Sequence, residues 1–191
     1  MKKIKKYLKK HLTKDRYQHT LGVAFTAAAL AMKYNTDTAN ANLVKRAYLE
    51  GLLHDCAKCM SDEKKLHICD KNNLSYSSME ADHPYLLHGK VGAHIARKKF
   101  GIKDEDILQA ITWHTTGRPN MSLLEKIIFI ADYIEPSRKP VKELDQIRKL
   151  AFEDIDNTME RILANTLKYL DGKNAPVDKM TVTTYESYKK K

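Results

Sequence analysis

The sequence predicts an all-α protein, and three observations support that prediction. Apolar residues recur at helical spacing in most segments, and no stretch sustains the alternating apolar and polar pattern of a half-buried strand. Seven glycines and five prolines in 191 residues are few enough to permit long helices. A chain of this length can bury one substantial core, and it contains no internal repeat or low-complexity linker. We therefore predict a single helical bundle over residues 1–191.

The N-terminal part of the chain is predicted to form three helices. Ile4, Leu8 and Leu12 recur every four residues and predict a short basic first helix. Asp15 has the residue type of an N-cap for the second helix. The third is apolar and ends in a histidine beside an aspartate, within LEGLLHDCAK. The predicted bounds are about residues 1–14, 15–34 and 38–57.

The rest of the chain is predicted to form four more helices after a polar, mixed segment over residues 58–82. His83-Pro84 opens the first of them, and Gly101 suits its C-terminal end. Ser122 and Glu125 have the spacing of a capping box at the start of the third. The tail after Gly172 is loosely patterned and is predicted to be extended. The predicted helix bounds are about residues 83–100, 103–113, 122–135 and 141–170.

The basic excess of the chain is confined to its two ends. The formal net charge is +10. Seven lysines in Met1–Lys14 and three in Lys189–Lys191 account for all of it, so the body between them is neutral. Lysine-rich ends either attract RNA or keep a protein soluble. The second role is favoured, and contact with RNA is kept as an alternative.

Composition also predicts the compartment. No apolar run approaches the ~20 residues of a membrane-spanning helix, and the basic N-terminus lacks the apolar region of a secretory signal. Three cysteines, an odd number, argue against a disulfide framework and predict the cytoplasm. Cys56, Cys59, His67 and Cys69 have ligand chemistry for zinc, but their spacing fits no common zinc module.

Histidines and aspartates at helix ends and on apolar faces form the candidate functional set. Neighbouring residues of a helix point about 100° apart, so one ion rarely binds both His54 and Asp55, whereas two adjacent ions can share the aspartate. Asp132 interrupts an apolar run, where an unpaired carboxylate costs several kcal/mol. Nitrogen and oxygen ligands suit iron, manganese or another divalent ion. A metal site and a set of caps and surface groups remain equally open from the residues alone. The set is His19, His54, Asp55, His88, His114 and Asp132.

Five sequence blocks resemble one known family. They are RYQHTLGV, GLLHDCAK, LLHGKVGAHIA, ITWHTTGRPNMSLLEKIIFIADYIEP and IRKLA, and they lie between about residues 15 and 170. In this order they are similar to the YqeK family of HD-domain metal-dependent phosphohydrolases. Those bacterial enzymes are symmetrical bis(5′-nucleosyl)-tetraphosphatases, which split diadenosine tetraphosphate into two ADP. Cys56 and Gly89-Lys90 depart from the usual pattern of the family, beside the ligands but not at them.

The resemblance implies an HD-domain helical bundle with a metal site near its middle. The six candidate residues match the metal-binding pattern of the family, and the implied cofactor is a pair of divalent ions, with iron favoured. Asp55, Lys58 and Arg118 are the expected catalytic residues, with a metal-bound hydroxide as the attacking group. The expected substrate-binding residues are Lys58, Thr115, Thr116, Gly117, Arg118, Tyr133 and Arg138.

Two other functions remain open at this point. The same ligand set serves HD phosphohydrolases that act on a nucleoside diphosphate, a deoxynucleotide or a cyclic nucleotide. A basic RNA- or ribosome-binding protein with a structural metal site is the alternative from a different class. The expected partner is a dinucleoside polyphosphate, no membrane partner is expected, and a homodimer is an open possibility.

Overall fold

The helical class is confirmed by a computed structural model of the chain, which describes residues 1–36 and 42–189. Those residues form eleven α-helices and no strand. A short 3₁₀ turn, Pro84–Leu87, precedes the sixth helix. The helices are α1 (Lys2–His11), α2 (Lys14–Tyr34), α3 (Leu43–Leu53), α4 (Asp62–Lys71), α5 (Ser78–Asp82), α6 (His88–Phe100), α7 (Glu105–Trp113), α8 (Leu123–Ile134), α9 (Leu144–Leu150), α10 (Ile155–Asp171) and α11 (Lys179–Tyr188).

The core lies where five of these helices converge. α2 packs along α3 and α8, while α7 lies between α6 and α8. Large aliphatic side chains fill the space between them, and burying each contributes about 1.5–3 kcal/mol. None of the described helices has the length and apolar character needed to span a membrane. Fully buried members of the core include Leu30, Leu52, Ile111, Ile127 and Ile130.

Gly51 sets the closeness of α2 and α3. A Cβ atom at this position would lie 2.5 Å from the Cα of Ala24, which is backbone and cannot move aside cheaply. Only glycine therefore permits the observed approach of the two helices. This approach matters for the site, because α2 carries one proposed ligand and α3 leads directly into two others.

Helix ends differ from the predicted ones at two places near the site. Thr13, not Asp15, is the N-cap of α2, and its hydroxyl oxygen accepts from the Arg16 backbone N–H at 3.2 Å. α3 ends at Leu53 rather than near residue 57, so the histidine–aspartate pair lies in the turn that follows. The predicted start of that helix near residue 38 lies outside the described residues. The capping box between Ser122 and Glu125 is present as predicted.

Three further segments differ from expectation because tertiary packing overrides local pattern. Residues 58–82 contain two helices, α4 and α5, rather than isolated turns. The predicted helix over residues 141–170 is two helices, with Asp154 as the N-cap of the second. The expected extended tail forms α11, which packs on α10 and buries Thr181 and Thr184. The β-branched residues of that helix made its sequence look extended.

Candidate metal centre

The fold brings all six proposed ligands together at the meeting point of α2, α3, α6, α7 and α8. The first group consists of His19, His54 and Asp132, and the second of Asp55, His88 and His114. Within each group one potential ligand atom per residue lies within 4.8 Å of the others. Residues far apart in sequence therefore form two adjacent three-ligand groups.

Asp55 lies between the two groups and turns one oxygen toward each. Its Oδ2 is 3.4 Å from Nε2 of His54 and 3.9 Å from Nε2 of His19. Its Oδ1 is 3.4 Å from Nε2 of His88 and 3.5 Å from Nε2 of His114. This is the arrangement that a carboxylate needs to bridge two ions.

Each histidine of the site is held by its other ring nitrogen. Three of them donate from Nδ1 to the carbonyl oxygen of the residue three positions earlier, and His19 faces the carboxylate of Glu135, with Nδ1 and Oε1 3.1 Å apart. Because a carbonyl oxygen only accepts, Nδ1 of those three must carry the proton, which leaves Nε2 free to bind a cation. The carbonyl partners are Gly51 for His54 (2.8 Å), Tyr85 for His88 (2.7 Å) and Ile111 for His114 (2.7 Å).

Glu135 is a residue of the site that the sequence reasoning missed. It is 1% exposed, and besides facing His19 it accepts from both the backbone N–H and the hydroxyl of Ser137. Gly22 makes room for it, since a Cβ there would collide with Oε2 of Glu135. A carboxylate that directly follows an apolar helix is the one local signal for Glu135, and helix ends carry such residues without any site.

Arg16 is the second missed residue. Its Nη1 donates to Oδ2 of Asp55 at 2.9 Å, and its side chain is 33% exposed. Arg16 precedes His19 by three residues on α2, which puts the two side chains on one face of the helix. That spacing was visible in the sequence, but its partner lies 39 residues away and is brought near only by the fold.

The charges of the site follow from burial and from its own ion pairs. Burial opposes ionisation of Asp55, but His54 and His114 outweigh it and hold the pKa of that carboxyl well below its usual range. Burial likewise opposes protonation of His54, yet the Asp55 and Asp132 carboxylates raise its pKa. Burial, and then the Lys58 ammonium, lower the pKa of His88 well below the ordinary value. His88 is therefore neutral at pH 7, as a metal ligand must be.

The residues present fit a pair of divalent cations. Nε2 of His54 and Oδ1 of Asp55 are buried and have no hydrogen-bond partner among the described residues. Buried polar atoms are normally paired because leaving them bare costs free energy. Here Nε2 of His54 lies in the first group and Oδ1 of Asp55 faces the second, so each group contains a buried polar atom without a partner. Nitrogen and carboxylate oxygen are ligands that suit iron, manganese and similar ions.

Two of the predicted substrate-binding residues adjoin the second ligand group. The Lys58 ammonium lies 3.1 Å from Nε2 of His88. The Thr115 hydroxyl is 3.2 Å from Nε2 of both His88 and His114. The Lys58 ammonium and the Thr115 hydroxyl are therefore within reach of a ligand bound beside His88 and His114.

Gly117 and Arg118 are engaged elsewhere in the structure. The Gly117 amide, expected to bind phosphate, donates to the carbonyl of Trp113 at 2.8 Å. The Arg118 guanidinium forks the buried carboxylate of Glu125, with contacts of 2.6 and 3.0 Å. A structural role for Gly117 follows from its φ of +66°, which favours glycine. Phosphate binding by Arg118 stays a prediction, and it would require the guanidinium to share or leave its ion pair with Glu125.

Two clefts open beside the ligand groups. The larger cleft has a volume of about 1060 Å³ and includes His19, Arg16 and the predicted substrate residues Tyr133 and Arg138. The Arg138 guanidinium lies over the Tyr133 ring, 5.7 Å from its centroid. The smaller cleft has a volume of about 260 Å³. Its lining includes Tyr76, Lys90, Trp113, Thr115 and Thr116.

The cysteine-based zinc site finds no support in the geometry. The Cys56 thiol donates to the carbonyl of Gly92 at 3.6 Å, and burial raises its pKa to about 12. Cys59 is exposed. His83 is outside both ligand groups, and its ring lies 5.9 Å from that of Tyr85.

A family model for the HD domain matches residues 16–137, which contain all six proposed ligands. The chain belongs to the HD-domain family. A crystal structure of a predicted HD superfamily hydrolase involved in NAD metabolism, from Clostridium acetobutylicum, superposes on this HD protein with a TM-score of 0.91. The two share 43% sequence identity, over 98% of this chain and 95% of the other.

Comparison with named relatives assigns the chain to one branch of the HD-domain family. A symmetrical bis(5′-nucleosyl)-tetraphosphatase of Halalkalibacterium halodurans is 43% identical over 93% of this chain and 91% of its own length. Its counterpart in Bacillus subtilis is 39% identical over the same shares. The Staphylococcus aureus enzyme is 37% identical over 98% of this chain and 94% of its own. This HD protein is therefore a member of the YqeK-type branch that the sequence blocks indicate.

Proposed function

We infer that this HD protein hydrolyses diadenosine tetraphosphate symmetrically to two ADP with the aid of two divalent metal ions. The observation that carries this inference is the Asp55 carboxylate, which turns Oδ2 to one ligand group and Oδ1 to the other. A paired site of this kind suits cleavage of a phosphoric anhydride, whose negative charge repels a nucleophile. The relatives that share this chain over nearly its full length are named for that activity.

The six ligands divide between the two ions. We propose that His19, His54 and Asp132 would hold one ion and His88 and His114 the other, with Asp55 shared between them. When bound, such a pair activates water near neutral pH and neutralises phosphate charge. We propose iron as the metal, since the donor set of imidazoles and carboxylates suits it, with manganese and other divalent ions as further candidates.

The remaining residues bind and orient. Arg16 holds Oδ2 of Asp55 and fixes the bridging carboxylate from the side of the larger cleft. Lys58 places a positive charge beside His88, where charge on a departing phosphate oxygen is stabilised. Tyr133 and Arg138 offer an aromatic face and a guanidinium in the larger cleft.

Three statements about the location and partners of this protein stay predictions. They are the cytoplasmic location, a homodimer, and contact of the lysine-rich ends with RNA. α1 buries Ile4 and Leu8 and turns its lysines outward, which is also what a solvated basic helix does.

The test is anaerobic purification followed by metal analysis and by hydrolysis of diadenosine tetraphosphate with the products resolved. We expect near two ions per chain and ADP as sole product, both lost in Asp55→Ala. Asp145→Ala, at an exposed position on α9, is the matched control. AMP with ATP as products would overturn the symmetrical cleavage. Absence of both metal and turnover in the wild type would overturn the hydrolase itself, and turnover of another nucleotide alone would reassign the substrate.

A further inference from the structure

We propose that the smaller cleft is a second nucleoside subsite, which binds one purine nucleoside of the dinucleoside substrate while the larger cleft binds the other. This inference deepens the proposed function and rests on it.

The two clefts adjoin residues that face different oxygens of the Asp55 carboxylate. The larger cleft includes His19 and Arg16, which face Oδ2 of Asp55. The smaller cleft includes Thr115, whose hydroxyl contacts the two histidines that face Oδ1. A substrate with its central phosphates over the ligand groups would extend in both directions. Each of its ends then reaches one cleft.

The smaller cleft has the surfaces that a purine ring stacks on. Tyr76 and Trp113 line it, and both rings are held by hydrogen bonds at their polar edges. The Tyr76 hydroxyl donates to Asp70 at 2.7 Å, and Nε1 of Trp113 donates to Gln109 at 3.0 Å. Rings that are already fixed lose little freedom when a base stacks on them.

The two clefts differ in charge: the larger one offers phosphate-binding side chains beside the Tyr133 ring, whereas the smaller one suits the nucleoside alone. In the smaller cleft the Lys90 ammonium is already satisfied by the Ser75 carbonyl at 2.9 Å and by the Glu80 carboxylate at 2.7 Å. That cleft therefore suits an uncharged base and ribose more than phosphate. The larger cleft has a cluster of basic side chains suited to phosphate, which comprises Arg16, Arg138, Lys139, Lys142 and Lys168.

The size of the smaller cleft agrees with this division. About 260 Å³ accommodates one end of a nucleotide and is too small for a whole dinucleoside tetraphosphate. With both ends seated, the central anhydride is held over the two ligand groups. A polyphosphate that carries a single nucleoside lacks one of these anchors, and the second subsite therefore contributes to choosing a substrate with two nucleosides.

Binding can be followed without turnover because Trp113 is the single tryptophan of the chain and lines the smaller cleft. The probe is diadenosine tetraphosphate with a methylene group in place of the central bridging oxygen, compared with adenosine 5′-tetraphosphate. We expect the two-nucleoside probe to change the Trp113 fluorescence and the single-nucleoside compound to bind more weakly. Tyr76→Ala should weaken the two-nucleoside probe about tenfold or more, because a base loses its stacking partner. Tyr76→Phe, which keeps the ring and loses the bond to Asp70, should weaken the probe clearly less than Tyr76→Ala does, because the stacking surface remains.

Turnover supplies the second readout. In Tyr76→Ala, kcat/KM for diadenosine tetraphosphate should fall by a similar factor, while kcat/KM for adenosine 5′-tetraphosphate should hardly change. Equal losses for both compounds would assign Tyr76 to the fold and overturn the subsite, and so would no loss for either. Binding of the probe with no change in Trp113 fluorescence would also overturn it. A wild type that binds the probe through Trp113 but does not cleave diadenosine tetraphosphate would refute the proposed function and leave the subsite standing.

Discussion

Glu135→Gln is the substitution that most directly tests how the site is held. The carboxylate of Glu135 lies 3.1 Å from Nδ1 of His19 and accepts from the Ser137 backbone N–H at 2.7 Å. The glutamine has the same shape but replaces one accepting oxygen by a donor. Whichever way the amide is turned, one of these neighbours meets an N–H group instead of an oxygen. With the amide nitrogen toward His19, the ring loses the acceptor that directs its Nε2 toward the metal position. With the nitrogen toward Ser137, the side chain that orients His19 loses the bond that holds it in place.

The expected loss is about 10–100-fold in metal affinity, which is typical when the outer partner of a ligating histidine is removed. Since a factor of ten corresponds to about 1.4 kcal/mol, this is a loss of roughly 1.4–2.7 kcal/mol of binding free energy. Because Glu135 is only 1% exposed, water cannot readily take the place of the hydrogen bonds that the substitution removes. The effect should fall on the ion of the first ligand group, which contains His19.

Calorimetric titration of the metal-free protein with manganese would measure the effect. Two binding steps are expected, of which one weakens in Glu135→Gln. The control is Glu105→Gln, because Glu105 is 61% exposed and pairs with Arg97 at the surface, away from both ligand groups. If Glu135→Gln and Glu105→Gln bind both ions as the wild type does, the positioning role of Glu135 is refuted.

Three further predictions concern the frame of the site. Gly51→Ala places a Cβ 2.5 Å from the α2 backbone, and we expect this overpacking to lower the free energy of unfolding by about 1–3 kcal/mol in chemical denaturation, with Gly172→Ala as the unhindered control. Glu50 is fully buried, and burial raises its pKa well above the usual range. The folded state thus favours protonated Glu50, so the wild type loses stability as pH rises above the ordinary carboxyl pKa, and Glu50→Gln should become more stable relative to it as the pH rises above about 5. Arg118→Gln leaves buried Glu125 without its guanidinium and should cost about 1–3 kcal/mol of unfolding free energy.

Each of these has a result that would count against it. Equal stability of Gly51→Ala and Gly172→Ala would mean that α2 and α3 can separate freely. Parallel stability curves for the wild type and Glu50→Gln across that pH range would show that Glu50 ionises without cost. An Arg118→Gln variant with full stability and lost turnover would favour the catalytic role predicted for Arg118 over the structural one.

The helices of the core were predictable because their apolar stripes and caps are local. The capping box at Ser122 and the all-α class needed nothing beyond the chain itself. α11 was not predictable from local pattern, because its threonines do not favour a helix by themselves. In the structure Thr181 and Thr184 are buried and the helix packs on α10. The break before Asp154 was not predictable either, because no proline or glycine marks it.

The six proposed ligands were found from the resemblance and from the adjacency of His54 and Asp55. Their assembly into two groups required the fold, since they come from five separate segments. Glu135 and Arg16 escaped because their partners lie 116 and 39 residues away, and no local pattern links such pairs. Gly117 and Arg118 were expected to bind phosphate because they follow His114. The turn geometry and the Glu125 partner that engage them are features of tertiary structure.

The order of the ligands along the chain has a consequence for biosynthesis. His114 precedes Asp132 along the chain, so the residues of the second group leave the ribosome before those of the first group are complete. The helix that carries Asp132, α8, also packs against α2, α3 and α7 in the core. The segment that completes the first group therefore also completes the core, and neither ligand group is framed in a nascent chain before α8 has docked.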